Sequence, residues 1–477
     1  MIVEFNKYKK YNKVNAAYDF IKSLINGTEW DNRVYAAGGY VRDELLGDIP
    51  NDLDLMVDKE NGGIEFSEWI TKKLNIYKKG SNPIMYPRFG TAKFNLIGIK
   101  FGEYDLSDVD IEAVMPRSEE YEDKSRKPEV KFSSIEKDSE RRDLTVNSMF
   151  KNLTNDEIID PTGLGKGDLK DGVVRTTLDP DIIFTEDPLR MMRAIKVSTK
   201  YNWKLPLFMI KSIMKNSKKI TYISFERINN ELSKMLMTNE PDKAIKLIQF
   251  TGLSKYIFPE LDKLIGLQQN KYHDSDAMTH TLRVLKNTPP DLVTRMAALF
   301  HDIGKYKTMS NDEGVIHFYD HEEMSGHIAS DILRRLKYPN VFIRDVVEII
   351  VNHMRTKSSG NSGIMTRRSL RKLKLDLGEN LDRLLDLIHA DNVSHAKEYC
   401  MPDQIQNIRK KLKELEEFDG VPIVKPPLNG DDVMRILNIG KGRIVGEIMQ
   451  KLKDSYLDNP NMTKEEAEEL IKKFYKK

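Results

Sequence analysis

A single cysteine, Cys400, stands in 477 residues. One thiol excludes an intramolecular disulfide and any Cys-x-x-Cys metal site, and it fits a reducing compartment. A cytoplasmic location is expected on that ground. Net charge is only +2, from 76 basic and 74 acidic residues. So close a balance excludes a surface coated throughout for nucleic acid, and any RNA contact must come from local basic patches. No run approaches the length of a membrane-spanning helix. The opening residues, MIVEFNKYKKYNK, lack an apolar stretch of the secretory type, so no signal peptide is expected. Histidine is absent from the first 272 residues, and all nine fall between His273 and His395. So sharp a shift marks a separate module with its own chemistry. The remaining composition is that of an ordinary globular chain, long enough for two to four domains.

The most informative stretch runs from Gly38 to Val57 and reads GGYVRDELLGDIPNDLDLMV. Asp52 and Asp54 alternate with Leu53 and Leu55, a period of two that predicts a short strand. Both carboxylates then point to one face, where they repel unless a cation neutralises them. Oxygen ligands of this kind suit magnesium. A bare Asp-x-Asp is as often a solvated strand edge, but the residues upstream change its meaning. Gly38 and Gly39 follow an apolar strand, Val34 to Ala37, and open a helix carrying Arg42. Strand, glycine turn and helix N-terminus form an arrangement that cradles phosphate. Phosphate and paired metal ligands together point to nucleotidyl transfer.

Along the rest of the first 150 residues, helices are expected at 14–27 and 64–74, with strands at Ala92–Leu96 and Val109–Val114. The mixture predicts a small α+β domain. Glu112 could supply a third carboxylate, with Asp110 the competing choice on the same face. ERRDLTVNSM (Glu140–Met149) sets Arg141, Arg142, Asp143 and Asn147 beside apolar Leu144, Val146 and Met149. A helix with one wet face would account for it. Equally, arginine forks suit triphosphate oxygens, and Asp or Asn suits ribose hydroxyls. DPTGLGKGDLKDG (Asp160–Gly172) holds four glycines and a proline, and reads as a loop and hinge. TEDPLRMMR (Thr185–Arg193) reads as a helix start with Thr185 as N-cap. Asp187 and Arg190 are spaced i,i+3, on one face of that helix. Residues 204–251 are helical by pattern and rich in lysine. They serve equally as solvated faces or as contacts to an RNA backbone.

Five motifs, GGYVRDELLG, NDLDL, ERRDLTVNSM, DPTGLGKGDL and TEDPLRMMRA, occur in the order and spacing of the CCA-adding tRNA nucleotidyltransferases of bacterial and eukaryotic type. The resemblance spans about the first 250 residues. It implies an α+β head of the polymerase-beta type, shared with bacterial poly(A) polymerases, followed by an all-α neck and body. By position, Asp52 and Asp54 resemble the catalytic magnesium ligands. Glu112 resembles the third acidic position, because Arg117 follows it by the family's interval. Gly38, Gly39 and Arg42 resemble the triphosphate site. Arg141, Arg142 and Asp143 resemble the segment that meets the incoming nucleotide, with Asn147 beside them. Asp187 and Arg190 resemble the pair that selects the base without a nucleic-acid template. A carboxylate accepts and a guanidinium donates, which suits cytosine and adenine and leaves guanine and uracil mismatched. Arg193, one turn on, is placed to support the pair or to meet phosphate. The implied activity is addition of C, C and A to the 3′ end of tRNA from CTP and ATP.

The histidine-rich module reads in order His280, His301-Asp302, His321, His327, His353 and Asp391. It resembles the HD superfamily of metal-dependent phosphohydrolases. His280, His301, Asp302 and Asp391 match its H…HD…D pattern, and His321 and His353 match intervening positions for a second metal or the phosphate. His273 and His317 are expected not to be ligands, and His327 is a weak candidate. Lys305 is placed to meet a phosphate. The donor set suits a divalent transition metal. The resemblance implies phosphatase or cyclic phosphodiesterase activity. The expected organisation is a nucleotidyltransferase head over 1–160, a helical neck and body over 161–270, an all-α HD domain over 271–400 and a helical tail over 401–477. In that tail Leu437–Val445 reads as a glycine-hinged helix pair, and 402–416 as a charged helix. Two rival activities remain open here. One is an A-adding or poly(A)-type enzyme. The other is an HD phosphohydrolase with an inactive, RNA-binding head.

Overall fold

The computed structural model describes residues 11–76, 82–120, 129–419 and 426–475. Most of the opening stretch MIVEFNKYKKYNK therefore lies outside the described residues. The chain divides into two compact units, Met1–Met235 with Leu247–Ile257, and Leu236–Lys246 with Phe258–Lys477. Among the described residues no helix is long and apolar enough to cross a membrane.

The first unit is built on a seven-stranded mixed sheet. Across it the strands run Ile158–Ile159, Phe150–Asn152, Val34–Ala37, Leu53–Val57, Asp110–Val114, Thr91–Asn95 and Ile84–Tyr86. Among the described residues of this sheet, only Leu53–Val57 and Asp110–Val114 pair in parallel; the other pairs are antiparallel. The predicted alternation is present: Leu53 and Leu55 are buried and Asp54 is exposed between them. The strand begins at Leu53, however, so Asp52 lies in the segment leading into it and not on the strand as expected. Pro50 and Asn51 just upstream favour a turn there.

Helix Gly62–Lys73 packs on this sheet. A Cβ at Gly63 would stand 2.4 Å from the Ala113 carbonyl oxygen and 2.5 Å from that of Gly90. Only glycine lets the helix backbone come so near. Trp30, Phe66, Trp69 and Phe94 form an aromatic cluster beneath it, with ring centroids 5.3 Å apart for Trp30 and Phe66. Helix Lys13–Ile25 starts at a capping box in which Asn12 and Asn15 bond reciprocally.

Two expectations give way here. Asp160–Gly172 is not all loop: Gly165–Asp171 is a short helix ended by left-handed Gly172. Gly165 is packed so tightly against the Thr145 carbonyl that a Cβ would stand 2.7 Å away. Nor does one helix open at Thr185. Helix Pro180–Glu186, capped by Asp179, ends before Asp187. A second helix then runs Leu189–Tyr201 behind Pro188. Thr185 lies inside the first helix, where its hydroxyl donates to the Asp181 carbonyl. Asp179 is the better cap, because its carboxylate accepts from Asp181 N–H with Pro180 at the first helical position.

Among the described residues the second unit is helical apart from the hairpin Met309–Asp312/Val315–Phe318. Helices Ala277–Asn287, Leu292–Phe300, His321–Arg335, Asn340–Asn352 and Leu381–Val393 bury their apolar faces against one another. The charged helix expected at 402–416 spans Gln404–Asp419. The expected glycine-hinged pair is Gly430–Leu437 and Arg443–Asp458.

Candidate functional sites

In the first unit, Asp54 stands beside Glu112, its Cα partner across the parallel pair. Lys93 is the partner of Glu112 on the other side, and its Nζ lies 3.0 Å from Glu112 Oε2. Burial, then the charges of Asp52 and Glu112, push the Asp54 carboxyl up to about 6. The side chain is still exposed on the sheet face, so the two like charges are the part the geometry supports most directly. A carboxylate pressed by two like charges belongs to a set a divalent cation would neutralise. Asp110, the alternative to Glu112, has its Oδ1 occupied by Asn95 Nδ2 at 2.7 Å.

The glycine turn touches this set. Gly38 adopts φ 67° and ψ −128° before the helix Gly39–Leu46. A Cβ there would lie 3.6 Å from Arg142 Nη1 and 3.8 Å from Asp54 Oδ2. Arg42 donates through Nη1 to Asn147 Oδ1 at 2.6 Å and through Nε to Asp43 Oδ1 at 2.8 Å. Its guanidinium also lies 5.2 Å from the centre of the Tyr201 ring. Tyr201 in turn donates to Asp43 at 2.6 Å. The Gly38–Arg42 segment and Asn147 are thus one hydrogen-bonded group.

Arg141 and Arg142 converge on a residue that the sequence did not single out. Asp138, wholly buried in helix Ile135–Glu140, accepts from Arg141 Nε at 3.0 Å and Arg142 Nε at 2.9 Å. Burial pushes its carboxyl up, but Arg142 and Arg141 outweigh that and hold it below its usual range. The signal was present: an Asp three and four residues before two arginines can reach both. The arginines themselves lie past the helix end, in turns leading to the short helix Thr145–Asn147. A continuous helix with one wet face is therefore not what forms. Asp143 is buried and accepts from Leu144 N–H and Asn147 Nδ2. Arg193 Nε lies 2.8 Å from its Oδ2, an ion contact whose angle is not that of a hydrogen bond.

Asp187 and Arg190 do not form a direct pair on one helix face. Asp187 lies at the break between two helices. Its Oδ1 accepts from Leu189 N–H at 3.1 Å and its Oδ2 from Arg227 at 2.7 Å. Arg190 donates to Glu186 at 2.8 Å and to the Arg141 carbonyl at 2.6 Å.

In the second unit the histidines converge. His280, His301 and Asp391 bring donor atoms within 4.8 Å of one another, and so do Asp302, His321 and His353. The head carboxylates are not drawn together that tightly. Four imidazoles are anchored alike: Nδ1 of His280, His301, His321 and His353 faces the carbonyls of Ser394, Ala298, Phe318 and Ile350. That leaves each Nε2 for the centre, the orientation metal-binding histidines use. His301 Nε2 and Asp302 Oδ2 are buried and make no hydrogen bond; they meet as an ion contact at 3.2 Å, with Lys305 Nζ 2.7 Å from the same Asp302 oxygen, so both atoms have room to serve as ligands. Burial pushes His353 down to about 3, so its imidazole is neutral and free to ligate. Asp302 is held well below its usual range by His301 and Lys305 despite burial. The residues fit a metal.

A cavity of about 450 Å³ opens onto this centre. Lys305 lies against Asp302 at 2.7 Å and Gln269 at 2.7 Å. His317 and His273 also line the cavity, while His327 is exposed on its helix. Two lining residues that bond Asp391 went unremarked in the sequence. Lys357 donates to Asp391 Oδ2 at 2.5 Å, and His395 bonds the Asp391 carbonyl through Nδ1 at 2.8 Å. Lys357 had no signal, being one lysine among many. His395 had one, since it follows Asp391 by a helical turn.

Three family signatures match this chain. The Poly A polymerase head domain covers residues 34–175, the probable RNA and SrmB-binding site of polymerase A covers 209–265, and the HD domain covers 277–396. The mitochondrial CCA tRNA nucleotidyltransferase of Candida glabrata is 35% identical over 235 residues, which is 46% of this chain and 42% of that protein. The tRNA nucleotidyltransferase cca1 of Schizosaccharomyces pombe is 26% identical over 468 residues, 90% of this chain and 89% of that one. The chain therefore spans less than half of the first relative and most of the second. The crystal structure of Bacillus stearothermophilus CCA-adding enzyme in complex with CTP matches with a TM-score of 0.66, at 20% identity over 98% of both chains. That likeness is one of fold.

Proposed function

We propose that this chain, which carries a poly(A)-polymerase-type head and an HD domain and resembles CCA-adding tRNA nucleotidyltransferases along most of its length, adds C, C and A to the 3′ end of tRNA from CTP and ATP. The observation that carries the reading is the register of Asp54 on Glu112 beside a glycine turn, Arg42 and Arg142. Asp52, Asp54 and Glu112 would hold magnesium, a hard cation for oxygen ligands. When bound, magnesium supplies Lewis-acid activation of the RNA 3′-hydroxyl and charge neutralisation of the departing pyrophosphate. The protein's own part is positioning. Arg42, Arg141 and Arg142 present fixed forks to the triphosphate, and the Gly38–Gly39 turn lets backbone approach it. Asp143, with Asn147, meets the ribose. Asp187 and Arg190 choose the base, and Arg193 supports Asp143.

The second unit is read as a metal-dependent phosphohydrolase, with His280, His301, Asp302 and Asp391 as ligands and His321 and His353 as further donors. A divalent transition metal suits the imidazole-rich set. The domain limits are proposed as 1–160, 161–270, 271–400 and 401–477. The cellular site is proposed as the cytoplasm, from the lone cysteine.

The test of the main reading is incorporation on tRNA transcripts that end before the terminal CCA. CTP alone should add two residues, and CTP with ATP should complete three. Repeated addition of A from ATP alone would overturn CCA addition in favour of an A-adding or poly(A)-type enzyme.

A further inference from the structure

We infer that Tyr201 is a positioning residue for the incoming triphosphate: from the end of helix Leu189–Tyr201 it holds the guanidinium of Arg42 in place. The inference rests on the reading of Arg42 and the Gly38–Gly39 turn as the triphosphate grip. The Arg42 and Asp43 side chains are both largely buried. Asp43 Oδ1 meets Arg42 Nε at 2.8 Å and Nη2 at 2.7 Å, and Asn147 Oδ1 accepts from Nη1 at 2.6 Å. Nη2 also lies against the glycine turn, 3.4 Å from where a Cβ of Gly39 would stand. Tyr201 adds an aromatic face, with its ring centre 5.2 Å from Arg42 Cζ. Its hydroxyl donates to Asp43 Oδ1 at 2.6 Å, the same oxygen that Arg42 Nε uses. Burial pushes that hydroxyl up, so it stays a donor. Tyr201 therefore acts on Arg42 twice, directly through the ring and indirectly through Asp43.

Tyr201 is itself a placed group. Asn202, left-handed at φ 53°, ends the helix and turns the chain. Trp203 then stacks on Tyr201, with ring centres 4.7 Å apart and planes inclined by 27°. The Trp203 N–H donates to the Ser198 carbonyl at 2.8 Å, and the Trp203 carbonyl accepts from Ser198 Oγ at 2.8 Å. The indole packs beside Gly172, where a Cβ would stand 3.0 Å from its Cδ1. A layer of rings thus runs from Gly172 to Arg42. An unsupported arginine has many rotamers, and ordering it on binding costs part of the affinity. A guanidinium held by Asp43, Asn147 and a ring is ordered beforehand, and of its five N–H groups some remain for phosphate oxygens. The cation–ring contact strengthens where water is excluded. Because the contact reaches the phosphate end, it acts on every nucleotide alike.

The test measures KM and kcat for CTP, ATP and UTP, and inhibition by inorganic triphosphate, in Tyr201→Leu, Tyr201→Phe and Arg42→Ala, each with its melting curve. Tyr201→Leu should raise KM for CTP and ATP, and Ki for inorganic triphosphate, by one common factor of roughly ten, the scale of a desolvated cation–ring contact. The preference for CTP over UTP should not change. Tyr201→Phe, which keeps the ring and loses the bond to Asp43, should fall between it and the parent, and it carries the test if the leucine variant does not fold. A purely structural loss lowers only the share of active protein, so kcat falls while KM and Ki keep their parent values in each Tyr201 variant that folds. That result would overturn the inference, as would a changed preference for CTP over UTP. A raised Ki in Arg42→Ala with none in either Tyr201 variant would overturn the role of Tyr201 alone. An unchanged Ki in Arg42→Ala would overturn the triphosphate reading beneath it.

Discussion

Asp54 and Glu112 are Cα partners in the only parallel strand pair of the head sheet among the described residues. Residues 58 apart in sequence are thereby set side by side on one face, at a spacing fixed by the ladder. Repulsion between them, with Asp52, is what a bound cation would relieve.

Replacing Asp54 by Asn should lower nucleotide incorporation by roughly 10²–10³-fold, the scale of losing one preorganised charge at a reacting phosphate. The fold should survive. Relief of repulsion should leave the melting temperature of the metal-free protein equal or higher, as read by circular dichroism.

The pH dependence follows from the same carboxyl. It is raised from 3.8 to about 6 in the folded chain. A group raised in the fold favours the folded state below its unfolded value and loses that contribution as pH rises through the folded value. Metal-free protein should therefore lose stability between about pH 4 and 6, and Asp54→Asn should flatten that slope. Magnesium affinity should run oppositely, rising roughly tenfold per pH unit up to about 6 and then levelling. Titration calorimetry across that window checks both the sign and the plateau.

Asp138 holds Arg141 and Arg142 from a buried position. Asp138→Asn should destabilise the head by about 3–5 kcal/mol, the cost of leaving buried charges without their partner. It should also raise KM for CTP and ATP more than it lowers kcat. Because this carboxyl is lowered in the fold, its contribution is present above its ordinary value and lost as pH falls below it. Urea midpoints of the variant and parent should converge in acid.

His301→Ala or Asp302→Asn should remove the metal retained by the second unit, as read by elemental analysis after gel filtration. Nucleotide incorporation should not change, because the head's carboxylates lie in the other unit. A fall in incorporation matching the metal loss would refute that separation.

Gly63→Ala should destabilise the head by about 1–3 kcal/mol through overpacking, since the added carbon would meet the Ala113 and Gly90 carbonyl oxygens at 2.4 and 2.5 Å. Helix propensity alone predicts the opposite sign. Thermal melts decide between them.

What the sequence determined by itself was local or periodic. Leu53 and Leu55 flanking Asp54, the apolar run before His301-Asp302 and the turn at Gly38 each state their structure within a few residues. The clustering of histidines marked a module before any fold was in view. Which carboxylate joined Asp54 was a matter of strand register, and Glu112 and Asp110 are two residues apart on one strand. The interval to Arg117 pointed to Glu112 by resemblance, and the pairing with Leu53–Val57 sets it physically opposite Asp54. The helix break at Asp187 was likewise tertiary. TEDPLR offers both a cap at Thr185 and a break at Pro188, and Asp179-Pro180 upstream supplied the stronger start. Asp138, Lys357 and Arg227 became visible only when folding placed each against its partner. A charge has no direction in a sequence; its partner and burial are set by packing between elements far apart along the chain.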